Sequence, residues 1–175
     1  MSQRTISVQI AAAIMFMLAI AGMQYTQQYM PGIIMIFYYC VEVLMYMCIL
    51  GACEAGVVPG LLACAASPVA MMLMGDTSLP VALVLTIANV LAVLALLLFK
   101  DKKLLALAVG GAARFALAYL VCTFILAPMI GDVLMGFAVA DKVNLMMIVT
   151  TLIGAALYYV LSRLLDGGFK RKKNG

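Results

Sequence analysis

Histidine and tryptophan are both absent from this sequence of 175 residues. Without histidine there is no serine–histidine dyad, and both the commonest general base and a common metal ligand are missing. Without tryptophan no ligand ring stacks on an indole. Charge is scarce too: 10% of residues are charged and 67% are hydrophobic, with a mean hydropathy of +1.20. A soluble domain carries about 25% charged residues, so the chain reads as an integral membrane protein with little outside its spans. The five cysteines, Cys40, Cys48, Cys53, Cys64 and Cys122, form no C-x-x-C pair. They read as reduced, small hydrophobic fillers. No H-E-x-x-H, Walker lysine loop or G-x-S-x-G is present. The aspartates fall in or beside expected loops, which excludes a mid-span aspartyl pair. No enzymatic activity and no cofactor are expected of this chain.

What is present is a set of six apolar segments, at about 6–23, 33–50, 57–74, 80–99, 104–126 and 143–165. Each is near the length a helical span needs. The expected fold is all-α, a single six-helix transmembrane domain. The connections are read as a polar stretch over 24–32, a tight Gly51–Gly56 turn, short links at 75–79 and 100–103, and a longer loop over 127–142. Ala66-Ser-Pro-Val-Ala70 is read as a helix break near the outer half of the third span. Arg4 ahead of an apolar run, with Ala19-Ile20-Ala21 beyond it, resembles a signal peptide; the segment is read as the first span, and cleavage would not change the orientation of later ones.

A large share of the basic residues lies in two clusters, Lys100–Lys103 and Lys170–Lys173. With both termini cytoplasmic, these clusters, Arg4 and Arg163 share one side, and Lys142 alone falls opposite. That asymmetry satisfies the positive-inside tendency. It argues for topology rather than a nucleic-acid partner, though a basic tail also suits anionic lipid.

Three strongly polar side chains fall in mid-span: Glu42, Asn89 and Arg114. At about 1.5 Å rise per residue they lie within roughly 5 Å of one depth. A charge at the bilayer centre costs roughly 2.5–3.5 kcal/mol on insertion scales, so such residues are functional candidates by default. Glu42 shares a helical face with Tyr38, Tyr39, Met45 and Tyr46. Ala108, Ala112 and Ala116 form a small-residue ridge suited to helix packing, and Arg114 points about 200° from its middle. Two readings follow. Glu42 and Arg114 form a buried salt bridge and nothing more, or they belong to a polar pocket between helices that holds a small solute. The candidate substrate-binding residues are Arg114, Glu42, Asn89, Tyr38, Tyr39, Tyr25 and Asn144. Arg114 suits a carboxylate or phosphate if Glu42 does not neutralise it.

Several features together resemble the S component, the substrate-binding membrane subunit, of energy-coupling factor (ECF) vitamin transporters. They are the size and span count, the run Gly51-Ala-Cys-Glu-Ala-Gly-Val-Val-Pro-Gly60, the following Ser67-Pro68, a proline-led fourth span with Asn89, and Gly110-Gly111-Ala112-Ala113-Arg114-Phe115 in the fifth. The resemblance implies a bacterial plasma-membrane protein that captures a vitamin, vitamin precursor or similar micronutrient from outside. It implies a coupling membrane protein and two ATP-binding subunits as partners, with ATP bound by them. Many members dock through Ala-x-x-x-Ala on the first helix; here Ser7-x-x-x-Ala11 and Ala11-Ala12-Ala13 stand there, and the small ridges Ala52-Gly56-Gly60-Cys64 and Ala66-x-x-x-Ala70 are alternatives. The competing functions are a membrane scaffold of the rod-shape-determining type and an autonomous carrier, for which no inverted repeat is evident.

Overall fold

A computed structural model describes residues 6–29, 35–75, 77–129 and 133–173; the side chains of 28, 35, 129, 133–140, 142 and 165–173 are outside that description. The described residues form helices and no strand: α1 (Ile6–Gln28), α2 (Met35–Ala55), α3 (Val57–Leu73), α4 (Leu79–Leu98), α5 (Lys103–Val121), α6 (Ala127–Met129) and α7 (Val133–Lys173). A π-helical turn, Cys122–Leu126, joins α5 to α6, so these run on as one rod. Five segments are long and apolar enough to cross a membrane: Ile6–Gln27, Ile36–Ala55, Leu79–Leu98, Lys103–Leu126 and Val143–Leu164. The remaining helix, α3, has 17 residues.

The helices depart from the sequence expectations in four places. Gln24 to Gln28 form the last turns of α1 rather than a loop, and Gln24 and Gln27 are buried. The polar side chains lower the hydropathy there without breaking the helix, because both amides find partners inside the bundle. The expected Gly51–Gly56 turn shrinks to Gly56 alone, with φ +153°. An L side chain rarely adopts that backbone, and a Cβ here would stand 3.0 Å from the Gln9 side chain. Pro68 sits inside a continuous α3 rather than breaking it. Finally, the expected 127–142 loop is largely helical, since α7 starts at Val133 and runs for 41 residues, about 60 Å at 1.5 Å each. Asp141 is therefore on a helix and exposed. Met30–Gly32, Asp76, Gly131 and Asp132 lie outside the described residues.

Small residues set how closely the helices approach. On Gly110 a Cβ would meet the Ala92 backbone at 3.0 Å, which brings α5 directly against α4. The buried small residues of α5 are Ala106, Gly110, Gly111 and Ala118. Ala108, Ala112 and Ala116 are exposed, so the expected packing ridge faces outward instead. Ala52, Gly60, Cys64 and Ala66 do pack the interior. All five cysteines are free; Cys53, Cys64 and Cys122 are buried fillers, whereas Cys40 is exposed. Ile20, at the centre of the signal-like triplet, packs with Met45, Ile49 and Val93 in the main core.

At the Lys103 end of the bundle, three helices are clasped together. Lys103 pairs with Glu54 at 2.9 Å, and the Tyr158 hydroxyl donates to Glu54 Oε1 at 2.7 Å. Glu54, expected in a turn, is the penultimate residue of α2 and reaches α5 and α7 from there.

Candidate functional site

The site begins with a missing hydrogen-bond donor. Proline has no N–H, so Pro68 leaves the Cys64 carbonyl, four residues earlier, without its helical partner. Asn89 on α4 fills that place: its Nδ2 donates to the Cys64 carbonyl at 3.3 Å. The amide is thereby oriented, and its Oδ1 accepts from Arg114 Nε at 2.9 Å. A proline in α3 thus helps to aim the acceptor that holds the arginine of α5. Such re-satisfaction by neighbouring side chains is what lets proline persist in membrane helices.

Arg114 is 5% exposed and is surrounded by neutral groups. Its Nη1 donates to Thr150 Oγ1 at 3.0 Å and to Thr151 Oγ1. Thr150 donates its own proton to the Met147 carbonyl at 3.4 Å, which leaves its lone pairs to the arginine. The Tyr46 ring lies under the guanidinium, 4.0 Å from its carbon. That contact is a cation–π interaction in a desolvated setting. Two glycines make room. A Cβ on Gly111 would meet Thr151 Cγ2 at 2.7 Å, and one on Gly154 would meet Tyr46 Cδ1 at 2.8 Å. Larger residues at either position would displace the side chains that hold Arg114.

Glu42 does not pair with Arg114. No nitrogen–oxygen contact within 4.0 Å joins them; Lys103–Glu54 is the ion pair found among the described residues. The salt-bridge reading of the sequence is corrected accordingly, and Asn89 replaces Glu42 as the direct partner. The arginine charge acts on Glu42 only through space. Glu42 is 7% exposed, and its Oε1 is buried with no hydrogen-bond partner. The Gln27 side chain is in hydrogen-bonding reach of the same carboxyl, so the missing donor is that of Oε1 and not of the whole group.

Gln27 ends an ordered relay. Ser67 Oγ donates to Gln24 Oε1 at 2.9 Å, Gln24 Nε2 donates to Gln27 Oε1 at 2.9 Å, and Gln27 Nε2 donates to the Tyr38 carbonyl at 3.4 Å. A polar seam therefore runs from α1 and α3, past Glu42, to Arg114 and α7. Every member of the relay is satisfied, yet one oxygen of the carboxyl it reaches, Glu42 Oε1, is not.

The other candidates lie around this seam. Tyr38 is half-buried, its hydroxyl 3.9 Å from the Met146 sulfur, and its ring meets Tyr39 edge-on at 6.1 Å. Tyr25 is exposed and packs on Tyr29 with ring centroids 4.7 Å apart. It stands apart from the buried cluster. Its hydrogen bond and charge hold the Tyr29 phenol above its usual range. Asn144 is buried and donates to Thr123 Oγ1 at 3.0 Å, while its Oδ1 has no partner. Thr123 lies in the π-helical turn, where Ala127 N–H bonds back to the Cys122 carbonyl. Pro128 follows, and its missing N–H relieves the regular ladder there.

Sequence reasoning missed Gln24, Gln27, Ser67, Thr150 and Thr151. The tandem threonines interrupt the apolar run of the last span, and the glutamines recur at a three-residue interval on the helix that precedes Glu42. Both were available signals. Comparison with family models, with curated proteins and with solved structures finds no match.

Proposed function

We propose that this chain is the substrate-binding subunit of an ECF-type importer, which captures a vitamin, vitamin precursor or similar micronutrient from outside the cell. Import is driven by a coupling membrane protein and two ATP-binding subunits, and the chain itself performs no catalysis. The observation that carries the reading is Glu42 Oε1, a buried acceptor without a partner, while Arg114 gives its Nε and Nη1 to Asn89, Thr150 and Thr151 instead. An unsatisfied buried polar group costs about 1–3 kcal/mol, and more when charged. A scaffold gains nothing from that cost. A binding subunit recovers it when a solute donates a hydrogen bond to the carboxylate. The solute meets an acceptor at Glu42, the arginine cluster behind it, and the tyrosine pair Tyr38 and Tyr39 on the side of the relay.

Both termini are assigned to the cytoplasm, as the lysine and arginine distribution favours, and the membrane is the bacterial plasma membrane. The coupling protein is assigned to α1. That helix buries 11% of its apolar window, against 28–50% for the other four spans, and Ser7 and Ala11 are both exposed.

A melting assay of the detergent-purified protein against a vitamin panel tests the proposal. A solute held at about 100 times its Kd stabilises by about 2.7 kcal/mol, which is a rise of several degrees for a domain of this size. Well-folded protein that shows no rise with any panel member, and that copurifies with cell-wall machinery instead of ATPase subunits, contradicts it.

A further inference from the structure

A second site lies on the outside of the bundle. Between α5 and α7 runs an open groove of about 690 Å³, from Leu104 to Phe115 on one helix and from Ile148 to Val160 on the other. Its lining includes the small residues Ala108, Ala112 and Ala156, all exposed. At 1.5 Å per residue the groove is about 16–18 Å long. That is close to one leaflet, half of a hydrocarbon core of about 30 Å.

One end of the groove is positively charged. Arg163 lies one turn beyond Val160 on the same face. Its Nε donates to the Tyr159 hydroxyl at 3.2 Å, and its guanidinium carbon stands 5.3 Å from the Tyr159 ring. Tyr159 itself lines the groove. The arginine is therefore held at the mouth of the groove by Tyr159, and it stays exposed there. Lys103, the first residue of α5, stands at the same end, where it pairs with Glu54. The opposite end, at Phe115 and Ile148, is apolar.

We infer that this groove holds one anionic phospholipid, an acyl chain lying against Ala108, Ala112 and Ala156 and the phosphate at Arg163. The chain fills a furrow that bilayer lipid must otherwise bridge, and the gain is van der Waals contact rather than hydrophobic transfer. The charge selects the headgroup, since basic residues at a helix end attract anionic lipid by about fivefold each. The inference is independent of the solute bound near Glu42.

Native mass spectrometry of the full chain, released from micelles containing equal phosphatidylglycerol and phosphatidylcholine, tests it. One retained phosphatidylglycerol per chain is expected, at about fivefold over phosphatidylcholine. Arg163→Gln brings that ratio to near one. Ala112→Leu and, separately, Ala156→Leu fill the groove and remove the retained lipid; both sites are exposed, and circular dichroism checks that each variant is folded. Equal retention of the two lipids by the wild type overturns the inference. So does undiminished phosphatidylglycerol in either folded leucine variant, an unchanged ratio in Arg163→Gln, or a copurified membrane protein occupying the face with no lipid retained.

Discussion

Two polar clusters hold this bundle, and they treat charge in opposite ways. At the Lys103 end, Glu54 meets Lys103 directly and Tyr158 completes the contact; these two charged side chains keep 53% and 29% of their exposure. In the interior, Arg114 meets an amide, two hydroxyls and a ring, while Glu42 forms no ion pair with it and leaves Oε1 without a donor. The exposed cluster has ordinary ion-pair chemistry and modest energy. The interior cluster keeps Glu42 off Arg114, and a buried acceptor left without a donor costs about 1–3 kcal/mol. A purely structural interior would bring Glu42 onto Arg114 or dispense with both, since replacing buried ion pairs by apolar residues is often neutral or stabilising.

The contrast is broken most sharply at Arg114. Arg114→Ala is expected to lower stability by about 3 kcal/mol, because it leaves Asn89 Oδ1 without its donor and opens a cavity over Tyr46; chemical or thermal unfolding in detergent measures it. Gly154→Ala comes next, at about 1–3 kcal/mol, the usual range for overpacking. Its Cβ would lie 2.8 Å from the Tyr46 ring that supports the guanidinium. A loss under 0.5 kcal/mol would show that the ring is not held where the account requires.

Smaller effects sharpen the comparison. Pro68→Ala returns an N–H to α3 that competes for the Cys64 carbonyl. A double-mutant cycle of Pro68→Ala with Asn89→Ala should show coupling of at least about 0.5 kcal/mol, as contacting groups do; simple additivity would separate the proline from the arginine cluster. Glu54→Gln should change stability least, within about 0–1 kcal/mol, and less still in high salt, as for other exposed pairs.

Much of the interior was legible in the sequence because polar residues in apolar runs are rare and their depth can be counted. Asn89 and Arg114, placed at one depth by residue counting, do meet at 2.9 Å. The six helical segments were legible for the same reason, through hydropathy. Helix ends were not. Gln24 to Gln28 and Glu54 lower the local hydropathy, yet a helix continues wherever its side chains find polar partners. Partner choice was also hidden. Opposite charges suggest a pair, but the way α4 and α7 are turned decided for Asn89, Thr150 and Thr151. The Pro68 effect acts through a backbone carbonyl on a neighbouring helix, which no pattern of side chains reveals. The alanines of α5 show the converse: their spacing forms a ridge, but the buried stripe is the neighbouring one through Ala106, Gly110 and Ala118.

Glu42→Gln addresses most directly whether Glu42 Oε1 is kept open for a solute. The melting temperatures of wild type and variant are to be compared without added solute and with each member of the vitamin panel. The variant alone is expected to melt no lower than the wild type, because no ion pair to Arg114 is broken, and the rise produced by the wild-type solute is expected to be lost. A variant that melts well below the wild type, yet keeps the full solute-induced rise, would contradict that role for Glu42.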